Sequence, residues 1–406
     1  KDWEQCLWKV KEGGLGVRDA GTIADAAYFS SRLKTYESCR ALDAAHRLEH
    51  QAEDNDDEMQ VDRIGDDNGC AGEGCLAQAR DRIKAQLPGN VFMDARKQGA
   101  IVEKIAGKRR DERMQEASGV EEARLKVMAA PHAGDWLHAP PSKELEYRFT
   151  NEEFRSRTGR RLGKELCEET RCPLCFQVLD RFGIHPETCM AGGDKTLAHN
   201  EHRNTLFKQA KLGGLQPELE KGGLFQEAGG REQEGDERDA RRRPADVLLC
   251  RAQDFKTRGG GIGAATRVAL DVGIICPQAP GHIREAREEV AGAAEQYART
   301  KSGRQATEAK CRERGIVFQP LIFESTGGVT KEVEETVKVI CKAVANNSGC
   351  SYQSVAQLVW RRLSVDTQKA GHRALARRVA ERGTLGGGGV ATAVQMGELL
   401  EAPLHL

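Results

Sequence analysis

Apolar residues in this chain fall into short runs whose spacing changes along the sequence, and those changes mark out the elements. Three runs rich in Val, Ile and Leu, D-V-L-L-C (246–250), R-V-A-L-D-V-G-I-I-C (267–276) and G-I-V-F-Q-P-L-I-F (315–323), have the length and β-branched content of buried strands. Between the second and third, residues 283–301 carry apolar positions at helical spacing, and residues 331–345 do so after the third. Ahead of the first run, A-H-N-E-H-R-N-T-L-F-K-Q-A-K-L (198–212) places Leu206, Phe207 and Ala210 on one helical face. Strands alternating with helices predict an α/β fold, a mixed sheet flanked by helices on both faces. Two more helices are predicted at 351–363 and 368–382, and the tail from 383, with its G-T-L-G-G-G-G, is low in complexity.

The chain upstream reads differently. Residues 1–46 offer a Gly-rich turn and a helix, too short to form a domain alone. Residues 47–131 begin as an acidic, solvated linker and continue with alternating charge and sparse Ile, Val and Leu, which predicts exposed helices with little core. At 131–141, P-H-A-G-D-W-L-H-A-P-P brackets Trp136 with Pro and Gly, and a helix is predicted over 144–164. The expected units are therefore 1–46, 47–131, a connecting segment 132–170, a cysteine and histidine module 171–196, the α/β domain 197–346, C-terminal helices 347–382 and a tail.

Composition adjusts this picture in three ways. With 39% hydrophobic and 31% charged residues, the 406-residue chain suits globular segments separated by solvated ones. No apolar run approaches the roughly 18 residues of a membrane span, and no signal-peptide pattern opens the chain, so no membrane partner is expected. It begins at Lys1, as a processed or truncated product would. Thirteen cysteines without a small-domain framework favour reduced thiols in a cytosolic or nuclear setting, and the formal net charge of zero confines any nucleic-acid affinity to local patches.

The densest chemistry lies in C-P-L-C-F-Q-V-L-D-R-F-G-I-H-P-E-T-C. Cys172 and Cys175 are separated by two residues, and His185 and Cys189 follow with three between them, so four donors of the kind zinc prefers can converge on one tetrahedral ion. Gly183 lets the backbone fold the second pair onto the first. The alternative is buried cysteines and a loop histidine. Just upstream, Arg155, Arg157, Arg160, Arg161 and Lys164 form a basic cluster that would neutralise phosphates; Arg241, Arg242 and Arg243 form another.

Two acids interrupt apolar strands, where a charge is expensive unless paired. Asp246 opens the first strand and Asp271 lies within the second. Carboxylates on adjacent strands are what a hard cation such as Mg2+ requires, and a lysine nearby, Lys301 or Lys310, would orient water or stabilise developing charge. The alternative is a turn residue and an edge residue.

In shared order, G-G-L-G-V-R, D-W-L-H-A-P-P, the C-P-L-C…G-I-H-P-E-T-C module, A-H-N-E-H-R, R-R-P-A-D-V, A-L-D-V, Y-A-R-T-K and F-Q-P-L-I-F-E-S-T-G-G resemble the C-terminal portion of non-LTR retrotransposon reverse transcriptases that carry a restriction-like endonuclease. The resemblance covers about 132–382, and the opening segment resembles the end of a polymerase thumb. It implies a zinc knuckle on Cys172, Cys175, His185 and Cys189, followed by a PD-(D/E)xK nuclease that nicks DNA to prime reverse transcription in the nucleus. It implies roles for His199 and Asn200, for Asp246 and Asp271 as Mg2+ ligands, and for Lys301, with DNA and element RNA as partners. Three positions depart from the family pattern: Ala198 precedes His199, Ala245 separates Pro244 from Asp246, and Gly273 stands where a D-x-K lysine would. The second hypothesis is accordingly a decayed nucleic-acid-binding module. With no Y-x-D-D signature, the chain is not expected to copy RNA.

Overall fold

The structure, a computed structural model of the chain, describes residues 2–42, 73–87, 97–225, 243–252 and 266–380. It is a mixed α/β protein, as the alternation of periods predicts. Helices α1 (Asp2–Leu7), α2 (Ala20–Leu42), α3 (Glu73–Gln86), α4 (Gln98–Glu116) and α5 (Gly119–Met128) precede α6 (Asn151–Leu162). A small hairpin of β1 (Thr170–Arg171) and β2 (Val178–Leu179) leads to α7 (Ile184–Thr188) and α8 (Asp194–Leu212). The main sheet holds β3 (Pro217–Leu219), β4 (Val247–Ala252), β5 (Thr266–Ile275) and β6 (Ile316–Glu324) in that order. Helices α9 (Ile283–Glu288), α10 (Gly292–Gly303) and α11 (Thr307–Glu313) connect β5 to β6, and α12 (Lys331–Ser348) and α13 (Tyr352–Ala380) close the described chain.

The sheet is antiparallel from β3 to β5 and parallel between β5 and β6. A parallel pair needs a long crossover, which the three helices supply. One face carries Val268, Leu270, Val272, Leu321 and Phe323, packed against Leu206 and Ala210 of α8, Val333, Val337 and Ile340 of α12, and Val359 of α13. Each such side chain contributes roughly 1.5–3 kcal/mol on burial. The other face, with Ala269, Ile275, Phe318 and Ile322, lies under α5 and the crossover helices. Both faces are covered, so the strands read as continuous apolar runs in which a charge stands out.

Several predicted boundaries shift for local reasons. The helix predicted over 144–164 begins at Asn151, because Thr150 and Glu153 form a reciprocal capping box. The amphipathic stretch 283–301 is broken at Ala291, whose φ is 59°, and a side chain at Gly292 would meet the Glu285 carbonyl at 2.6 Å. The two predicted C-terminal helices are one, since no Gly or Pro interrupts 363–368. The strands β1, β2 and β3, of two or three residues each, are too short for periodicity to reveal.

The described residues of the stretch 76–128 are not the exposed helices expected of them. Ile83, Ile101 and Ile105 are fully buried with Phe29 and Tyr36 of α2, and Ala123 and Val127 of α5 join the far face of the sheet. Sparse isoleucines at helical spacing suffice for a small core. The acidic linker, the loop 229–242 and the tail lie outside the described residues. Among the described residues no helix is long and apolar enough to cross a membrane.

Candidate functional site

The two acids that interrupt the strands meet. In β4 and β5, Val247 pairs with Leu270 and Leu248 with Ala269, so Asp246, one residue ahead of the ladder, arrives beside the Asp271–Val272 stretch of β5, and its carboxylate accepts from the Val272 amide. The Asp246 amide, just ahead of β4, donates to the Leu270 carbonyl at 2.9 Å, the residue that Val247 also faces, so the regular ladder ends at Val247 and Asp246 is held at its margin. The two carboxyl groups lie within hydrogen-bonding reach of each other, close enough to share a cation. Alternation places Asp271 on the sheet face away from Leu270 and Val272, the face that α10 covers, while Asp246 stands at the sheet margin within reach of His199 on α8.

Like charges this close repel, and two bases offset this. Lys301 of α10 donates to Asp271 Oδ1 at 2.7 Å and to the Val272 carbonyl at 3.2 Å. His199 of α8 places Nε2 3.3 Å from Asp246 Oδ1, while the Val272 amide donates to Asp246 Oδ2 at 2.7 Å. Both acids remain partly open, their side chains 20% and 23% exposed, so solvent and a ligand can reach them. Of the two candidate lysines, Lys301 is the one that bonds Asp271. Asn200, next along α8, is half-buried and forms no hydrogen bond with either acid.

Their protonation equilibria diverge. Burial works to raise the pKa of Asp246, but the hydrogen bond and charge of His199, the Val272 amide and Lys301 outweigh it, and the carboxyl sits below its usual range. Burial raises that of Asp271, Lys301 opposes it, and the neighbouring Asp246 adds to the rise. Two acids separated in this way are the arrangement by which one site presents a charged and a protonatable carboxyl together.

Gly273 bears directly on the lysine. A Cβ there would lie 2.8 Å from Ile322 Cδ1 and 3.5 Å from Lys301 Nζ. The strand position two residues after Asp271 is therefore filled from outside, by a side chain that α10 delivers.

Cys172, Cys175, His185 and Cys189 come together as the spacing predicts. Their ligand atoms all lie within 4.8 Å of one another, and among the described residues theirs is the one His, Cys, Asp and Glu group so placed. Cys175 Sγ is 3.3 Å from His185 Nε2 and 3.5 Å from Cys189 Sγ. Bond lengths of about 2.3 Å to sulfur and 2.0–2.1 Å to nitrogen give tetrahedral edges of roughly 3.4–3.8 Å, so the donors fit one zinc ion. The β1–β2 hairpin holds the first pair, with the Cys172 amide bonded to the Gln177 carbonyl at 2.8 Å. Gly183, at φ 79°, turns the chain, and Asp180 accepts from the amides of Phe182 and Ile184 at 2.9 and 3.1 Å. Burial opposes ionisation of Cys172, but the amides of Leu174 and Cys175 and the His185 ring bring it down to about 6, favouring the thiolate that a metal binds.

The expected basic face around α6 is reduced to Arg155 and Lys164, which are exposed. Arg157, Arg160 and Arg161 are 2%, 2% and 1% exposed, so three of the four arginines of this cluster are interior. Arg157 and Arg160 donate to Glu187 at 2.9 and 3.1 Å, and Arg161 donates to the carbonyls of Val10, Gly14 and Ala133 at 2.6, 3.0 and 3.1 Å. Sequence spacing could not separate a solvated arginine face from one neutralised by a distant acid. Arg155 is exposed; Arg243 is exposed and bonds Glu220 at 2.8 Å; Arg241 and Arg242 lie outside the described residues.

Glu187 itself escaped sequence reasoning because it lies within the metal-ligand motif, between His185 and Cys189. Its carboxylate also accepts from Ser325 Oγ at 2.7 Å and Cys276 Sγ at 3.5 Å, at the C-terminal ends of β6 and β5. A buried Glu between two metal ligands was the available signal. Neither a family model nor a curated protein matches the chain.

Proposed function

We propose that this chain is the C-terminal portion of a retrotransposon-encoded reverse transcriptase, and that its α/β unit, of restriction-endonuclease type, is a metal-dependent DNA endonuclease. The observation that carries the reading is the meeting of the Asp246 and Asp271 carboxyl groups at the margin of the β4–β5 ladder, with Lys301 bonded to the second. Asp246, Asp271 and the Val272 carbonyl form an all-oxygen donor set, and the Lys301 ammonium against two of these groups shows that the place favours a cation. They would hold Mg2+, which when bound supplies charge to activate water and to neutralise the leaving oxygen of a phosphodiester.

The protein's own groups do the rest. His199 and the Val272 amide fix the Asp246 carboxylate as an anion. Lys301 balances Asp271 and is the group positioned to orient the attacking water or to bond a phosphate oxygen as charge develops on it. The Cys172, Cys175, His185 and Cys189 centre, as a zinc knuckle, would brace the nuclease and help hold DNA or element RNA. The product would be a nick in nuclear DNA from which the reverse transcriptase primes. The rival reading, a module that only binds nucleic acid, loses three of the seven arginines that motivated it, because Arg157, Arg160 and Arg161 are buried.

The test is nicking of supercoiled plasmid with Mg2+ by the wild type and by Asp246→Ala, Asp271→Ala and Lys301→Met. Each substitution should lower the rate by about 100-fold or more, the scale of losing one group that stabilises the transition state. Equal nicking by all four proteins would remove these residues from the chemistry.

A further inference from the structure

One cation beside the carboxylates has no counter-charge. Lys195 stands in the first turn of α8, one turn ahead of His199, and residues four apart share a helix face, so Lys195, His199 and Arg203 form one basic stripe. His199 is engaged with Asp246, and Arg203 bonds Glu220 and Asn204. The acids nearest Lys195 are also taken. Asp194 accepts from Arg377 and Arg378 at 2.9 Å each, and Glu187 is held by Arg157 and Arg160. Lys195 is half-buried, and among the described residues no carboxylate pairs with it. Burial lowers its pKa, the Cys276 thiol opposing. Keeping an ammonium partly out of water without a partner costs stability, which an anionic ligand would recover.

Its surroundings say which anion. The side chain lines a small cavity of about 40 Å³ with Ala198, Ile274, Glu187, Ser325 and Gly371. Pairing of β4 with β5 begins at Val247 and Leu270, so the C-terminal half of β5 has a strand neighbour only on the β6 side. On its open side Val272 gives its amide to Asp246 and its carbonyl to Lys301. By the period of two, the next outward groups are those of Ile274, the residue beside Lys195. The open edge thus runs from the carboxylate pair toward Lys195. One turn of α8, about 6 Å, separates Lys195 from His199.

We propose that Lys195 is a phosphate-binding residue of this trough, holding a DNA backbone phosphate next to the one placed between Asp246 and Asp271. It contacts the strand being cut and takes no part in bond breaking. The inference rests on the endonuclease reading for the identity of the ligand, and it replaces the buried α6 arginines with a cation that is free to act.

The experiment measures binding of a fluorescein-labelled DNA duplex by anisotropy, without divalent cations, over roughly 50–200 mM salt. It compares wild type, Lys195→Gln, Lys195→Arg and, as a charge-loss control on the solvent-facing side of α12, Lys338→Gln, with thermal melts to confirm folding. Losing one phosphate contact lowers the slope of log affinity against log salt by about 0.9, so the ratio of wild-type to Lys195→Gln affinity narrows by about 3.5-fold across that range. Lys195→Arg keeps the wild-type slope, and Lys338→Gln leaves it unchanged. A Lys195→Gln slope equal to wild type, or a loss matched by Lys338→Gln, overturns the proposal. If the wild type nicks plasmid but the slope does not move, this inference alone fails. If the slope moves but no protein nicks, the endonuclease reading fails and the phosphate contact stands. A wild type that binds no duplex removes both.

Discussion

Replacing Glu187 by Gln should destabilise the protein by about 3–5 kcal/mol, the cost of leaving buried charges without their partner. The side chain is 1% exposed and faces two guanidinium groups each 2% exposed. Burial alone would raise its pKa from 4.5, yet Arg160 and Arg157, with the Ser325 hydroxyl, bring it to about 2. A depression of that size corresponds to about 3 kcal/mol of stability, present above the unfolded pKa and lost as pH falls from about 4.5 toward 2. The two routes agree in scale. Glutamine keeps the shape and one acceptor but leaves Arg157 and Arg160 as uncompensated interior cations. Urea unfolding at pH 7 would follow tryptophan fluorescence, to which the buried Trp136 and Trp360 contribute. Arg155→Ala, at an exposed position of the same helix, should cost no more than about 0.5 kcal/mol. A loss below about 1 kcal/mol for Glu187→Gln would refute the reasoning. So would Arg157→Ala or Arg160→Ala variants of unchanged stability whose DNA binding loses salt dependence, since that restores a phosphate-contacting role to these arginines.

Two further outcomes follow from the same geometry. Metal analysis of purified protein should give one zinc per chain, falling with Cys172→Ser or on chelation, and the thermal midpoint should fall with it because metal binding adds to folding free energy; a metal-free protein with an unchanged midpoint would dismiss the knuckle. Glu324 is fully buried, and burial lifts its pKa to about 8, the Thr326 hydroxyl opposing. The folded protein therefore keeps a proton that the unfolded chain releases near 4.5, and stability should decline as pH rises, by about 3 kcal/mol between pH 5 and 7. Glu324→Gln should flatten that decline in denaturant titrations, and an equally steep wild-type and variant profile would place the dependence elsewhere.

The strands and the metal cluster were legible because each leaves a local mark. Apolar runs of five to ten residues, and four ligands within eighteen, need no long-range knowledge. Asp246 and Asp271 were legible as charges inside apolar runs and as a candidate pair on adjacent strands, though the sequence did not show that Asp246 stands just outside the regular ladder, since register is set by pairing. The α6 arginines misled because arginine density looks the same whether the counter-charge is a bound phosphate or a glutamate 27 residues downstream. The cohesion of α2, α3 and α4 was missed because three isoleucines among many charges give a weak periodicity, yet Ile83, Ile101 and Ile105 are all buried.

Gly273 joins these two kinds of signal. Read along the strand, a glycine two residues after Asp271 looks like the loss of a lysine, because the same face recurs every second residue and position 273 is where a strand-borne ammonium would reach the acid. In space the position is not vacant. Ile322 from β6 closes in on it and the Lys301 side chain lies alongside, so a Cβ at 273 would press on Ile322 at 2.8 Å and any longer side chain would compete for the space of the ammonium that bonds Asp271. The absence of a side chain at 273 and the presence of lysine at 301 are thus one arrangement: the strand gives up the volume and the helix supplies the charge. A departure that counts against activity when residues are compared position by position becomes, once the crossover helix is placed, a condition for the carboxylate pair to keep its base.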